Sequence, residues 1–133
     1  MASTIASRKA KGRRLTQEVC AMLLSISHHF KWGLTDEDIR PVPGSVIGED
    51  IWLSPAAREK FPFSFECKNQ EKVNIWASWK QCLDNAGDHQ PILVIKRNNE
   101  GPRIIMDMLG FTCLLFGRGK AIDILHQPSP EEV

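Results

Sequence analysis

The chain has 133 residues, 42% hydrophobic and 25% charged, the length and balance of one globular domain. Seventeen Lys and Arg nearly cancel sixteen Asp and Glu, leaving a formal net charge of +1, which excludes a histone-like polycation and an acidic disordered chain. No apolar run has the length of a membrane-spanning helix, and no long apolar stretch follows Arg8 and Lys9, so neither a bilayer span nor a secretory signal is expected.

The charge is unevenly distributed. From Met1 to Gln17 the charged residues are Arg8, Lys9, Lys11, Arg13 and Arg14, all basic, and residues 1–14 are expected to form a mobile arm. Taken alone, such an arm is a solvated tail, an electrostatic footprint for phosphate, or a nuclear localisation signal. Leu15, Val19, Met22, Leu23, Ile26 and Phe30 then recur at helical spacing, with Thr16 as a cap and Gly33 as a stop. Glu18 lies beside this stripe in the first turn, where an acid suits the helix dipole. Pro41 to Gly48, with two prolines and two glycines, reads as loop.

Ile51, Trp52 and Leu53 make a short strand beginning around Asp50, and Ser54-Pro55 opens a turn or helical piece through Lys60. From Phe61 to Lys68 the chain alternates: Phe61, Phe63, Phe65 and Cys67 fall on one side, Ser64, Glu66 and Lys68 on the other, the period of a strand packed on one face. Val73 to Ala86 reads as a second long helix whose buried face is Ile75, Trp79, Cys82, Leu83 and Ala86, stopped by Gly87. Ile92 to Lys96 is an interior strand, Asn98 to Gly101 a tight connection, and Arg103 to Met108 a returning strand. Gly110 to Phe116 is a short apolar helix, and Gln127 to Val133 a frayed tail. These elements predict a single α/β domain over residues 15–126: a central mixed β-sheet flanked by helices.

Cys20, Cys67, Cys82 and Cys113 form no Cys-x-x-Cys pair and no zinc-finger spacing. Each lies in an apolar segment, as expected for reduced core thiols in a cytoplasmic protein. His28-His29 is a poor chelate, because neighbours on a helix point in different directions. Gly117-Arg118-Gly119-Lys120 lacks phosphate-loop spacing. Trp32, Trp52, Trp76 and Trp79 suit core or interface before base stacking. No serine or cysteine has a base partner in sequence.

The chemistry concentrates at Glu66-Cys67-Lys68. Residues two apart on a strand point the same way, so Glu66 and Lys68 emerge together. Alone this is a surface ion pair of little consequence. The preceding strand, however, opens with Glu49-Asp50, and two carboxylates brought together repel unless a cation lies between them. Oxygen ligands of this kind suit Mg²⁺, and Mn²⁺ fits the same set. An adjacent lysine steadies an attacking water or the charge growing on a phosphate. Two acids and a lysine around a hard metal make a coherent phosphodiester-hydrolysing site.

Asp50 followed by Glu66-x-Lys68 resembles the PD-(D/E)xK nuclease superfamily. With Lys11-Gly12 before a helix bearing Glu18, and with Leu53-Ser54-Pro55 and Pro62 to Lys68 behind Asp50, the chain is similar to its Holliday-junction-resolvase-like branch, especially small phage versions, over roughly Lys11 to Leu115. The resemblance implies a restriction-endonuclease-like fold and cleavage of four-way DNA junctions leaving 5′-phosphates. It implies a divalent metal held by Asp50 and Glu66 with the main-chain carbonyl of Cys67, and Lys68 as the catalytic lysine. Glu18 would be the helical acid of the site, with Gln17 competing for that position and Glu49 competing with Asp50; Gln81 matches a polar helix position near the site. Lys9, Lys11, Arg13 and Arg14 would hold flanking phosphates, extended by Arg58, Lys72 and Lys80. Two incisions need two sites, hence a homodimer, joined through Leu109 to Phe116 or the tryptophans. The alternatives are a nuclease acting on flaps, ends or duplex, a non-catalytic DNA-binding module, and an interaction domain with a chance Glu-x-Lys pair.

Overall fold

Thr4 starts the first helix: its hydroxyl accepts a hydrogen bond from the Ser7 N–H at 3.0 Å, satisfying a donor that the helix leaves unpaired. The helix, α1, runs Ile5–His29. In this computed structural model, which describes residues 4–44, 46–117, 119–120 and 123, residues 5–14 are therefore helical and are not the mobile arm expected from their charge. Ala, Lys and Arg are strong helix formers, and two tertiary ties fix the segment: Lys11 Nζ donates to Asn98 Oδ1 at 2.8 Å and Asn69 Nδ2 donates to the Lys11 carbonyl at 3.0 Å. The expected frayed tail, 127–133, lies outside the described residues.

After α1 come β1 (Ile39–Pro41), β2 (Ile51–Leu53), α2 (Pro55–Lys60), β3 (Phe63–Asn69), α3 (Ile75–Ala86), β4 (Gln90–Lys96), β5 (Arg103–Ile105) and α4 (Met108–Phe116). The architecture is α/β, as expected, but the strands divide between two sheets. β3 and β4 pair in parallel across the α3 crossover, and β5 returns antiparallel to β4. β1, not anticipated from sequence, pairs antiparallel with β2, and Arg40 lies over the Trp52 ring at 4.6 Å. Between the two sheets the regular ladder is replaced by Asp50, whose N–H donates to the Phe65 carbonyl at 2.9 Å. Among the described residues no helix is long and apolar enough to cross a membrane.

The core gathers Leu15, Val19, Cys20 and Leu23 of α1, Ile39, Ile51 and Leu53 of the small sheet, and Phe65, Cys67, Ile92 and Val94 of the larger one. β3 was expected to be covered on one face only. It is covered on both, with Ser64 and Glu66 as buried as Phe65 and Cys67, because α3 packs on the side away from α1. The residues α3 buries are Ser78, Cys82 and Ala86, spaced one turn apart; their small side chains let the helix approach the strand closely, while Ile75 and Leu83, expected inside, are exposed.

α4 sits down on the body at Gly110. A Cβ there would overlap the Gln90 carboxamide, which is held by hydrogen bonds to the Pro91 carbonyl at 3.0 Å and Asp107 Oδ1 at 3.2 Å. Asp107 Oδ1 also caps the helix by accepting from the Gly110 N–H at 2.7 Å. Gly110→Val is expected to displace Gln90 and cost about 1–3 kcal/mol of stability in chemical denaturation. An unchanged denaturation midpoint would show that α4 docks some other way.

Candidate active site

β3 gives its two faces different tasks. Phe65 and Cys67 enter the α1 core, and Glu66 and Lys68 emerge on the α3 side, as their alternation predicts. The Lys68 ammonium lies 3.6 Å from Glu66 Oε1. Glu66 is only 3% exposed, and its Oε2 is buried with no hydrogen-bond partner.

Asp50 reaches this pair from the start of β2. One carboxylate oxygen accepts from the Cys67 N–H at 2.7 Å, while the Asp50 carbonyl accepts from the Val42 N–H at 2.8 Å. The Phe65 carbonyl and the Cys67 N–H thus both face β2. In an extended strand a residue's N–H and C=O point to the same side, so the Cys67 carbonyl also belongs to the Asp50 side. Glu49, the competing acid, has another partner: its carboxylate is bound by the Arg58 guanidinium, which also donates to the Phe63 carbonyl at 2.5 Å. Arg58, expected on a DNA surface, is therefore engaged inside the fold. Asn85 of α3 donates to the Gly48 carbonyl at 3.1 Å and holds the turn carrying both acids.

Electrostatics mark the same spot. Burial raises the Asp50 carboxyl above its ordinary range, against the opposing effects of the Cys67 N–H and Lys68. Burial also raises Glu66, the negative charge of Asp50 raises it further, and Lys68 opposes both. Burial pushes the Cys67 thiol far up, and that of Cys82, near Glu66, to about 12. Both shifts favour the neutral thiol, as burial among apolar side chains does generally.

Two open clefts meet at the acids. One, of about 670 Å³, lies against α3 and is lined by Asp50, Glu66, Lys68, Lys80, Gln81 and Asn85 among others. The second, of about 630 Å³, lies under α1 and is lined by Lys9, Gly12, Arg13, Thr16, Asp50 and Lys68 among others. The structure thus brings Asp50, Glu66, Lys68, Cys67, Gln81, Lys9 and Arg13 to one place. It does not bring Glu18, which is exposed on α1 and lines neither cleft, nor Gln17, which lines a separate groove with Asp36 and Arg40. The helical residue beside the acids is Thr16, whose hydroxyl donates to the Gly12 carbonyl at 3.0 Å; Glu18, two positions on, points roughly 200° away around the helix. Arg14 lines neither cleft, Lys11 turns to Asn98, and Lys72 lies in a different groove with Lys96 and Arg97.

Asn85 and Thr16 were not singled out for the site from sequence. Asn85 is three residues past buried Cys82 and just before buried Ala86, so its place beside the buried stripe was the available signal. Thr16 suits a helix cap by residue type, but α1 begins at Ile5, so it lies in the interior of the helix.

Among the described residues no group of three or more His, Cys, Asp or Glu side chains could hold a metal ion. A cation here would have two carboxylates and a main-chain oxygen to bind, a hard donor set of the kind that suits Mg²⁺ with retained waters. The unpartnered Glu66 Oε2 fits that use. Comparison with family models, with curated proteins and with solved structures gives no match for this chain.

A carboxyl whose pKa is raised by folding favours the fold below its unfolded value, and that contribution is lost as pH rises through the folded one. Without divalent cation, the stability of the wild type minus that of Glu66→Gln should therefore fall from pH 4 to pH 8. At pH 8 Glu66→Gln should be the more stable protein by on the order of 1 kcal/mol. A difference independent of pH in denaturant titrations would show that folding leaves Glu66 unperturbed.

Proposed function

We propose that the chain is a metal-dependent, structure-selective DNA endonuclease of the PD-(D/E)xK type, with a restriction-endonuclease-like fold, cutting four-way junctions as a homodimer in the cytoplasm. The observation that carries this reading is the meeting of Asp50, buried Glu66 with its unpartnered oxygen, and Lys68 at the junction of two clefts. Lys9 and Arg13 on the rim of one cleft add the positive charge that a phosphate backbone requires.

Asp50, Glu66 and the Cys67 carbonyl would hold Mg²⁺. When bound, the ion supplies positive charge to a phosphate oxygen and acidifies water. The Lys68 ammonium orients the attacking water and offsets negative charge as the water oxygen bonds to phosphorus. The bond from phosphorus to the 3′ oxygen breaks; the attacking water gives up one proton to solvent and the 3′ oxygen takes one from it, leaving a 5′-phosphate and a 3′-hydroxyl. Lys9 and Arg13 fix the neighbouring phosphates without reading bases. The Cys67 N–H keeps Asp50 in place.

Gly12 fits the same reading. It lies inside α1, where glycine costs about 1 kcal/mol relative to alanine, and a Cβ there would meet only open space in the cleft. Gly12→Ala is expected to raise stability by about 1 kcal/mol yet weaken DNA binding, because the space serves the ligand. Stabilisation with undiminished DNA affinity would remove Gly12 from the interface.

The deciding assay compares four-way junction, flap and linear duplex with Mg²⁺, for wild type, Glu66→Gln and Lys68→Ala. Junction cutting should fall at least about 100-fold in both variants while DNA binding persists. Mg²⁺ should also raise the melting temperature of the wild type and not that of Glu66→Gln. Preference for flaps or duplex would move the substrate within the nuclease class. Normal cutting by both variants would overturn the site, and binding without any cutting would identify a DNA-binding module.

A further inference from the structure

Large apolar side chains are exposed at several places on the molecule. Ile75, Trp76 and Leu83 on α3, and the large side chains of α4, line neither cleft at the acids. Val46 and Ile47 do line one. They are 55% and 96% exposed, they lie in the cleft against α3, and they belong to the segment that leads from β1 into Glu49 and Asp50. A lone exposed aliphatic residue is ordinary on a surface. Two in succession beside two carboxylates and a lysine put an apolar point into a polar cleft. That point is tied on both sides. Before it, the Pro43 carbonyl accepts from the Val46 N–H at 3.0 Å, closing a turn. After it, Gly48 takes a φ of +129°, which a residue with a side chain rarely adopts, and its carbonyl accepts from Asn85 Nδ2 at 3.1 Å. Valine and isoleucine are stiff at χ1, so the tip is two rigid side chains on a fastened main chain.

We propose that Val46 and Ile47 are a wedge that enters the base stack of bound DNA at its branch point, with the backbone of one departing strand in each cleft. The inference rests on the nuclease reading and adds to it the feature that selects the shape of the substrate. Position is the first argument. Pro41 and Val42 line the cleft under α1, Val46 and Ile47 line the cleft against α3, and Gly44 lines both, so this segment runs between the two clefts. Charge is the second. Lys9 and Arg13 line one cleft, Lys80 (beside Asp84) lines the other, and Lys68 lines each. A nucleic acid is the polyanion with an apolar interior: cations take its phosphates, and an aliphatic tip takes the faces of its bases. Cost is the third. A wedge driven into continuous duplex loses the stacking of the step it opens. At a branch point the strands already leave the stack, so less stacking is lost there. Branched DNA is then favoured over linear DNA without any base being read. Asp50 lies three residues beyond Ile47, a span of at most about 11 Å, and phosphates follow one another along a strand roughly every 3.4 Å of helix axis. The cut therefore falls within about three nucleotides of the opened step.

The test places 2-aminopurine beside the branch point of a four-way junction and uses a Glu66→Gln background, which is expected to bind without cutting. Its fluorescence should rise at least about threefold on binding, and should stay flat once Val46→Ala and Ile47→Ala are added. With Glu66 restored, the same two alanines should lower the preference for junction over linear duplex at least about 10-fold, in affinity and in Mg²⁺-dependent cutting. The thermal midpoint should not move, because both side chains are exposed. Ile47→Leu should keep the preference, since another aliphatic tip serves, and Ile47→Asn should lose it. Flat fluorescence with Val46 and Ile47 in place, an undiminished preference with both alanines, or an equal loss on junction and duplex would overturn the wedge and leave the nuclease reading standing. A wild type that cuts DNA with no preference for the junction would overturn it as well. A wild type that neither binds nor cuts DNA would overturn both.

Discussion

A single hydrogen bond, from the Cys67 N–H to the Asp50 carboxylate at 2.7 Å, stands where a strand ladder would otherwise join β2 to β3. With the Asp50 N–H on the Phe65 carbonyl, it makes one residue the joint between the two sheets. A side-chain oxygen replaces a main-chain one, so the joint carries a charge. That charge is partly buried beside a second, nearly inaccessible carboxylate, and folding thereby raises the proton affinity of both. The joint between the sheets and the perturbed electrostatics of the two acids come from the same contact.

The surroundings divide neighbouring acids between structure and chemistry. Glu49 is neutralised by Arg58, which in turn is tied to the Phe63 carbonyl, so that pair closes the turn. Asp50, one residue on, has only a neutral N–H donor and the more distant Lys68. Likewise Phe65 and Cys67 build the core with α1, while Glu66 is accommodated under α3 because Ser78, Cys82 and Ala86 are small enough to let that helix close over it. Burial without a full set of partners is what separates Glu66 from an ordinary surface ion pair.

Element types were readable because periodicity is local: 3.6 residues for the helices, two for β3. The start of α1 was not, because basic residues suit both a helix and a solvated arm. Tertiary partners of Lys11, namely Asn98 and Asn69, lie far along the chain. β1 was missed because three residues ending in a proline carry little pattern, and its pairing with β2 spans a loop. The acids on the strands were legible, since Glu66-x-Lys68 and Asp50 declare themselves by type and spacing. The helical side of the site was not: whether Thr16, Gln17 or Glu18 faces the strands depends on how α1 is rotated, and 100° per residue makes adjacent positions opposite in effect.

What the sequence by itself determined is an α/β chain with two acids and a lysine on adjoining strands, because alternation and residue chemistry act within a few positions. Only the tertiary structure decided that Asp50 and not Glu49 joins Glu66, that Arg58 serves the fold, that Thr16 replaces Glu18 beside the clefts, and that most large side chains of α4 are exposed. Each of these depends on which distant surface a side chain meets. Packing and hydrogen-bond satisfaction across the whole domain settle that choice, and no local period encodes it.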